Sequence, residues 1–184
     1  MHAVKISLLL ACFWAIPATA ADVAAGGQKA ATCQGCHGAN GKSSSAQWPN
    51  LAAQQPAYIV KQLQAFKSGS RKNPMMGGMA AALSDAEMAN LAAFYAAQPA
   101  VKAGGDASLA KVGAAKAAMC LGCHGANAEG NGQVPRLAGQ HPAYLATQLA
   151  HFKAKERDSG HMQAIAGGLS DEDMKALAAY FGSL

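Results

Sequence analysis

The stretch that decides the fold is Cys33-Gln34-Gly35-Cys36-His37-Gly38-Ala39-Asn40. Nearly the same eight residues return 87 positions later, as Cys120-Leu121-Gly122-Cys123-His124-Gly125-Ala126-Asn127. Beyond the motif the two halves stay in register with a shift of 86, because one residue fewer separates the second motif from the next proline. Leu83-Ser84-Asp85, for example, returns as Leu169-Ser170-Asp171. A repeat present in only two copies predicts a duplicated domain, not a solenoid.

The repeated C-x-x-C-H pentapeptide is an attachment site for haem c. Two thiols about one helical turn apart reach the two vinyl groups on one porphyrin edge, and the adjacent histidine then directs its imidazole to the iron. We therefore predict two covalently bound haems c with His37 and His124 as proximal iron ligands. Their thioether bonds are formed by the four motif cysteines, Cys33, Cys36, Cys120 and Cys123.

Three other uses of paired cysteines explain this pattern less well. A structural zinc site pairs its C-x-x-C units over a shorter stretch than the 83 residues between Cys36 and Cys120. A thioredoxin-like dithiol needs a βαβ context, which the sequence does not offer. Disulfides suit an exported chain, but they give no reason for a histidine after each pair.

The distal iron ligand decides whether each haem is closed or open to small molecules. Methionine sulfur is a soft ligand that favours ferrous iron, and we expect it in a loop after the middle helix of each unit. Met76 and Met162 each lie eight residues before the serine of the repeated L-S-D segment, so we assign these two. Met75 aligns with His161 and Met79 with Ile165, so neither has a methionine counterpart. Met79 stays as the alternative ligand of the first haem and His161 as that of the second.

The remaining methionines and histidines are expected to have structural roles. Met88, Met174 and Met119 are assigned to the core, and His141 and His151 to the surface or a helix, with no role at a haem.

The first twenty residues have the pattern of an export signal. A short polar start is followed by the apolar run Ile6 to Ile16 and by Ala18-Thr19-Ala20, a cleavage site of the A-x-A type. The run is too short to cross a membrane as a helix. We expect residues 1–20 to be removed. The alternative is lipidation of Cys12 in a lipoprotein-like box, which is disfavoured because the apolar stretch continues beyond it.

The charge of the mature chain is modest and uneven. Without the signal it has 14 basic and 10 acidic residues; the excess is concentrated in residues 21–100, with 6 basic and 3 acidic, against 8 and 7 in residues 101–184. Such a field can steer acidic protein partners, although an ordinary solvated surface accounts for it equally well. It lacks the arginine clusters of nucleic-acid-binding proteins, so we expect no nucleic-acid partner.

Apolar periodicity predicts an all-α fold in two domains, residues 21–100 and 101–184. Apolar residues recur at helical spacing at Ile59, Leu63 and Phe66, and their equivalents repeat the stripe in the second unit. Ser84 and Glu87 form a capping box at the start of a last helix, matched by Ser170 and Asp173. The Ala- and Gly-rich segment 98–107 is the predicted linker.

At the prolines the chain resembles class I cytochromes c. In that family a proline carbonyl in a P-x-L segment accepts a hydrogen bond from the proximal histidine, which implies this role for Pro49 and Pro135. Without this resemblance, Pro49 and Pro135 would be interpreted only as loop residues. The resemblance also implies that Gly26 and Gly113 in the first helices allow close approach of Tyr95 and Phe181 from the last helices.

The tandem arrangement, the G-C-H-G segments and the L-S-D-x-x-M helix starts resemble c4-type dihaem cytochromes over residues 22–184. The resemblance implies a periplasmic monomer of two domains related by approximate two-fold symmetry, with at most a loose association with membranes. It further implies that the chain is not itself an enzyme. It would carry electrons between respiratory partners towards a terminal oxidase, for example of the cbb3 type.

Two other functions compete with a free electron carrier. The first is the electron-accepting dihaem subunit of a flavocytochrome c sulfide dehydrogenase, whose sequence would look nearly the same because the flavin binds the partner. The second is a dihaem peroxidase, which is disfavoured by the chain's length and by the presence of a methionine for each iron.

Overall fold

The computed structural model describes residues 20–184, which form two helical domains in tandem. The predicted signal segment, including Cys12, lies outside these residues apart from Ala20 at its end. The first domain has five α-helices: α1 (Val23–Ala30), α2 (Gln34–His37), α3 (Pro56–Ser68), α4 (Pro74–Ala81) and α5 (Asp85–Ala96). The second repeats them: α6 (Ala107–Lys116), α7 (Ala118–His124), α8 (Pro142–Lys153), α9 (Gly160–Gly167) and α10 (Asp171–Ser183).

The described residues contain no β-strand, and their only β-type pairing is an isolated bridge between Asn131 and Val134. The all-α prediction is confirmed. No helix among the residues that the structure describes is long and apolar enough to cross a membrane.

The first and last helices of each domain cross at a glycine. A Cβ on Gly26 would lie 2.0 Å from the carbonyl oxygen of Asn90, and one on Gly113 would lie 2.1 Å from that of Ala176. These distances are far below van der Waals contact, so only glycine allows the two backbones to approach this closely. The packing role predicted for both glycines is therefore confirmed.

The aromatic partners predicted for these glycines were wrong by one residue. The Cβ atoms of Phe94 and Tyr180, not those of Tyr95 and Phe181, are nearest to the glycines, 2.9 Å from the added Cβ. One residue turns a helix by about 100°, so Tyr95 instead points into the domain core, where it is 2% exposed.

The last helix of each domain is fixed at its start by two polar contacts. Ser84 and Glu87 form the predicted capping box at the start of α5, and Ser170 and Asp173 form the equivalent at α10. The same acidic residues pair with lysines of the first helices, Lys29 at 2.6 Å and Lys116 at 2.7 Å. Each acidic residue therefore caps one helix and ties it to another.

Small side chains dominate both cores. Met88 and Met174 are buried as predicted, together with Leu91 and Leu177. The prediction that Met119 belongs to the core was wrong, because this residue is 63% exposed. Ala117 and His124 define the buried side of this segment, and Met119 lies about 200° around the helix from Ala117, on the opposite side.

The linker between the domains is held against the second domain. Ala103 donates its amide hydrogen to the carbonyl of Gly139 at 3.1 Å, and Gly104 donates to that of Gly182 at 3.0 Å. Asp106 then caps α6 by accepting from the amide of Leu109.

Candidate haem sites

Each C-x-x-C-H motif ends a short helix at its histidine. α2 ends at His37 and α7 at His124, and each is followed by a glycine with positive φ, Gly38 at 73° and Gly125 at 89°. A Cβ on Gly38 would lie 1.8 Å from the carbonyl oxygen of Lys42. The sharp change of direction after the histidine therefore requires glycine.

None of the four motif cysteines is paired in a disulfide. Three are half-buried and Cys123 is exposed. The disulfide alternative is therefore not what the fold adopts. The described residues also contain no group of three or more His, Cys, Asp or Glu side chains that would hold a metal ion by themselves.

Both motif histidines are buried and held by one ring nitrogen. The Nδ1 of His37 lies 2.9 Å from the carbonyl oxygen of Pro49, and that of His124 lies 2.8 Å from the carbonyl oxygen of Pro135. A carbonyl only accepts, so each Nδ1 carries the hydrogen and each Nε2 keeps a free lone pair. Burial lowers the pKa of both imidazoles, and the hydrogen bond to the proline carbonyl offsets only part of this effect. The lowered pKa favours the neutral form, which is the form that binds a metal.

This donor set fits a covalently attached haem. Two thiols about one turn apart stand beside a neutral imidazole whose Nε2 is available, and the second nitrogen is fixed by a carbonyl as is usual for metal-bound histidine. Such a haem supplies a one-electron iron couple, and the protein sets its orientation and potential. The chain's residues therefore suit the cofactor that the motif predicts.

The two assigned methionines lie on short helices, not in loops as predicted from the sequence. Met76 is the third residue of α4 and Met162 the third residue of α9. Asn73 caps α4 by accepting from the amide of Met76 at 2.9 Å, and Pro74 opens the helix, which explains why the segment is helical. Both methionines are half-buried, whereas Met79 is 44% exposed and His161 is exposed.

Two glutamines join the haem-binding loops of the domains. Gln140 accepts from the amide of Asn50 at 2.8 Å and donates to the carbonyl of the same residue at 2.9 Å. Gln54 does the same to Arg136, at 2.7 Å and 3.0 Å. Gln54 and Gln140 are equivalent under the shift of 86, as are Asn50 and Arg136. The two contacts are therefore related by an approximate two-fold axis.

Two arginines form a second symmetric contact between the domains. Arg157 donates to the hydroxyl of Tyr58 at 2.8 Å and to the side-chain oxygen of Gln62 at 3.0 Å. Arg71 donates to the equivalent residues of the second domain, Tyr144 at 3.1 Å and Gln148 at 2.8 Å. Each guanidinium also lies over a phenylalanine ring of its own domain, Arg71 at 4.5 Å and Arg157 at 4.6 Å from the ring centroid.

None of these interface residues was predicted from the sequence. The available signal was that Arg71, Gln62 and Gln54 recur at the shift of 86, as Arg157, Gln148 and Gln140.

His141 was assigned to the surface or a helix, but it is half-buried at the interface, where its Nε2 lies 3.1 Å from the carbonyl oxygen of Ser43. His141 is the equivalent of Gln55 under the shift of 86, and Gln55 makes the reciprocal contact, with the carbonyl of Glu129 at 3.0 Å. His151 lies on α8, 3.7 Å from Glu156.

Comparison with known proteins places this geometry in a family. The cytochrome c family model matches twice, at residues 23–96 and 110–184. Cytochrome c4 of Azotobacter vinelandii is 37% identical over 90% of both chains, and the thiosulfate dehydrogenase electron acceptor of Thiomonas intermedia is 33% identical over 97% of this chain and 88% of its own. The crystal structure of reduced cytochrome c4 from Pseudomonas stutzeri superposes with a TM-score of 0.83 at 37% identity, covering 90% of this chain and all of that one. The chain therefore belongs to the cytochrome c family, as a two-domain protein of the cytochrome c4 type with one covalently bound haem c in each domain.

Proposed function

We propose that this chain is a periplasmic electron carrier in which both irons are closed by a histidine and a methionine. His37 and Met76 would ligate the first haem, and His124 and Met162 the second, with Pro49 and Pro135 holding the histidines. The domains would extend over residues 21–100 and 101–184 after removal of residues 1–20. The observation that carries the proposal is the buried histidine in each domain whose Nδ1 is fixed by a proline carbonyl, leaving Nε2 for iron.

The methionine assignment is supported by register and by exposure. Met76 and Met162 occupy the same position in α4 and α9, and both are half-buried. Met75 and Met79, the neighbours on α4, are 51% and 44% exposed. Methionine ligation raises the potential of a haem and leaves no position for an exogenous ligand. Both consequences suit a carrier of single electrons better than an oxygen- or peroxide-reacting enzyme.

Substitution of the methionines tests the ligand set. Met76→Ala and Met162→Ala should each abolish the sulfur-to-iron absorption band of one ferric haem, leave the other haem intact and lower one of the two potentials. Met79→Ala is the matched control on the same helix and should leave both haems as in the wild type. Loss of the band in Met79→Ala, or a high-spin haem in the wild type, would contradict the proposal.

Two physiological partners are proposed, one that accepts electrons from the protein and one that donates electrons to it. On the oxidising side, the carrier would deliver electrons to a terminal oxidase, for example of the cbb3 type. The support is the similarity to cytochrome c4 over nearly the whole chain. Stopped-flow oxidation by membranes that contain such an oxidase tests this, with specific oxidase inhibition as the control. Oxidation that continues at the same rate in inhibited membranes would argue for a different acceptor.

On the reducing side, a sulfur-oxidising enzyme is the second candidate. It is favoured by the similarity to a protein described as a thiosulfate dehydrogenase electron acceptor. The same class includes the flavocytochrome c sulfide dehydrogenase partner predicted from the sequence. Thiosulfate-dependent and sulfide-dependent reduction of the purified chain, each with its own dehydrogenase, distinguish the two donors. If neither dehydrogenase reduces the purified chain, the proposed function is that of a free respiratory carrier.

A further inference from the structure

A single peptide group connects each motif histidine to the other domain. The carbonyl of Pro49 accepts from Nδ1 of His37 at 2.9 Å, and the amide N–H of the same peptide unit, which belongs to Asn50, donates to Gln140 at 2.8 Å. The reciprocal chain runs from His124 through the Pro135–Arg136 peptide to Gln54, at 2.8 Å and 2.7 Å.

Both glutamines are fixed so that their oxygen faces the peptide N–H. Gln54 and Gln140 are each 6% exposed. The side-chain nitrogen of Gln140 donates to the carbonyl of Asn50, and its oxygen accepts a second bond from the amide of His141 at 3.0 Å. Gln54 makes the equivalent pair of contacts with Arg136 and with the amide of Gln55. A reversed amide would face a donor with a donor, so the orientation is determined.

Hydrogen bonds in such a chain strengthen one another. When the peptide N–H donates to glutamine, the peptide polarises and its carbonyl oxygen becomes a stronger acceptor for the histidine Nδ1–H. A stronger bond at Nδ1 makes the imidazole more electron-donating at Nε2. A more electron-donating ligand stabilises ferric relative to ferrous iron and lowers the potential of the haem.

We propose that Gln140 and Gln54 are positioning residues that lower the reduction potential of the haem in the opposite domain. The proposal rests on the ligation by His37 and His124 given under Proposed function. It makes the docking of the two domains a determinant of both potentials, because the peptide group that holds each histidine donates its N–H to a glutamine of the other domain. Separation of the domains raises both potentials.

The test is the Gln140→Leu variant of the full two-haem protein. We expect the ferric-to-ferrous ratio of the first-domain haem to fall about threefold at a fixed solution potential, which is about 30 mV for a one-electron couple, with the second haem unchanged. The two haems are followed separately by NMR of the ferrous protein, in which the Nδ1–H resonance of His37 should move upfield. Gln54→Leu should give the reciprocal pattern at the second haem and His124.

Gln148→Leu is the matched control, because it makes the same substitution in the same domain and also removes a contact between domains. Gln148 contacts an arginine of each domain, so its loss should not alter the difference between the two potentials. Potentials that do not move in Gln140→Leu, or a change in Gln148→Leu as selective as that in Gln140→Leu, would overturn the proposal.

Two measurements on the wild type complete the test. Hydrogen exchange should show that the amides of Asn50 and Arg136 are protected, and exchange as fast as that of exposed amides would overturn the proposal even if the glutamine variants did not fold. Spectra of the wild type that lack low-spin histidine ligation would instead overturn the ligand set itself. The two failures are therefore distinguishable.

Discussion

Arg157 of the second domain donates a hydrogen bond to the hydroxyl of Tyr58 in the first domain, across a distance of 2.8 Å. Arg157 is 9% exposed, and its guanidinium lies over the ring of Phe152 and also contacts Gln62 and Gln148. A buried charge is tolerated only when its donors are satisfied, and here the partners come from both domains. The arginine therefore makes correct docking of the domains a condition for burying its charge.

Arg157→Ala should lower the free energy of unfolding by about 2–3 kcal/mol, because it removes charged hydrogen bonds and leaves buried acceptors without a donor. Arg71→Ala should cost less, since Arg71 is more exposed. Urea unfolding followed by circular dichroism measures both, and small-angle scattering reports whether the domains separate. Lys72→Ala is the control for loss of a neighbouring positive charge and should change stability by no more than about 0.5 kcal/mol. An Arg157→Ala variant as stable as Lys72→Ala would contradict this account.

Much of the fold within each domain could be predicted because its determinants are local. Haem attachment requires two thiols and a histidine within five residues, and a capping box requires a serine three residues before an acidic side chain, as at Ser84 and Glu87. The repeat then transferred each assignment to the other half. The choice of Met76 over Met79 also came from register, and it stays a prediction.

The contacts between domains could not be predicted because they depend on how two finished domains dock. Gln54 and Gln140 recur at the shift of 86, but a repeated residue is equally expected if it serves only its own domain. The packing of Phe94 against Gly26 was missed for a related reason. A helix turns by about 100° per residue, and two adjacent aromatics leave the direction of each undetermined until the helices are placed.

Gly26→Ala tests the helix crossing of the first domain. The new methyl group would overlap the carbonyl oxygen of Asn90, so α1 and α5 must separate, and we expect a loss of about 2–3 kcal/mol in the free energy of unfolding. Gly113→Ala should have the same effect in the second domain. Gly167→Ala is the control, because no atom lies within 4 Å of the added Cβ and alanine favours the helix. Gly26→Ala with wild-type stability would show that the crossing tolerates a wider spacing.

Removal of the Tyr95 hydroxyl and removal of the Tyr58 hydroxyl should change the free energy of unfolding in opposite directions. The hydroxyl of Tyr95 is buried without a hydrogen-bond partner among the described residues, and its equivalent in the second domain is Phe181, which has no hydroxyl. Burial and, to a smaller extent, the neighbouring Cys33 raise the pKa of Tyr95, so the group stays protonated and neutral. Cys33 does not offset the cost of burial, because its sulfur is taken up by the thioether bond to haem. Tyr95→Phe should therefore stabilise the protein by about 0.5–1 kcal/mol, whereas Tyr58→Phe should destabilise it by about 1–2 kcal/mol. Both values come from urea unfolding. A destabilising Tyr95→Phe would reveal a partner for that hydroxyl in the haem-loaded protein.

The ion pair between Lys29 and Glu87 should make the first domain sensitive to acid. Hydrogen bonding to Lys29 and to Ser84 lowers the pKa of Glu87 from its ordinary 4.5 to about 2. Because the folded-state pKa lies below the unfolded one, this contribution to stability is complete above pH 4.5 and is lost as the pH falls towards about 2. Glu87→Gln should therefore show a smaller loss of the urea midpoint over this pH interval than the wild type, and the two curves should converge at its acidic end.

Lys29→Met should reproduce most of the Glu87→Gln effect, since it removes the largest cause of the shift. The double variant should resemble Glu87→Gln alone, because the two side chains act as one unit. Urea is preferred to guanidinium for these curves because a salt would screen the ion pair. Parallel pH curves for the wild type and Glu87→Gln would show that Glu87 has the same pKa in the folded and unfolded chain.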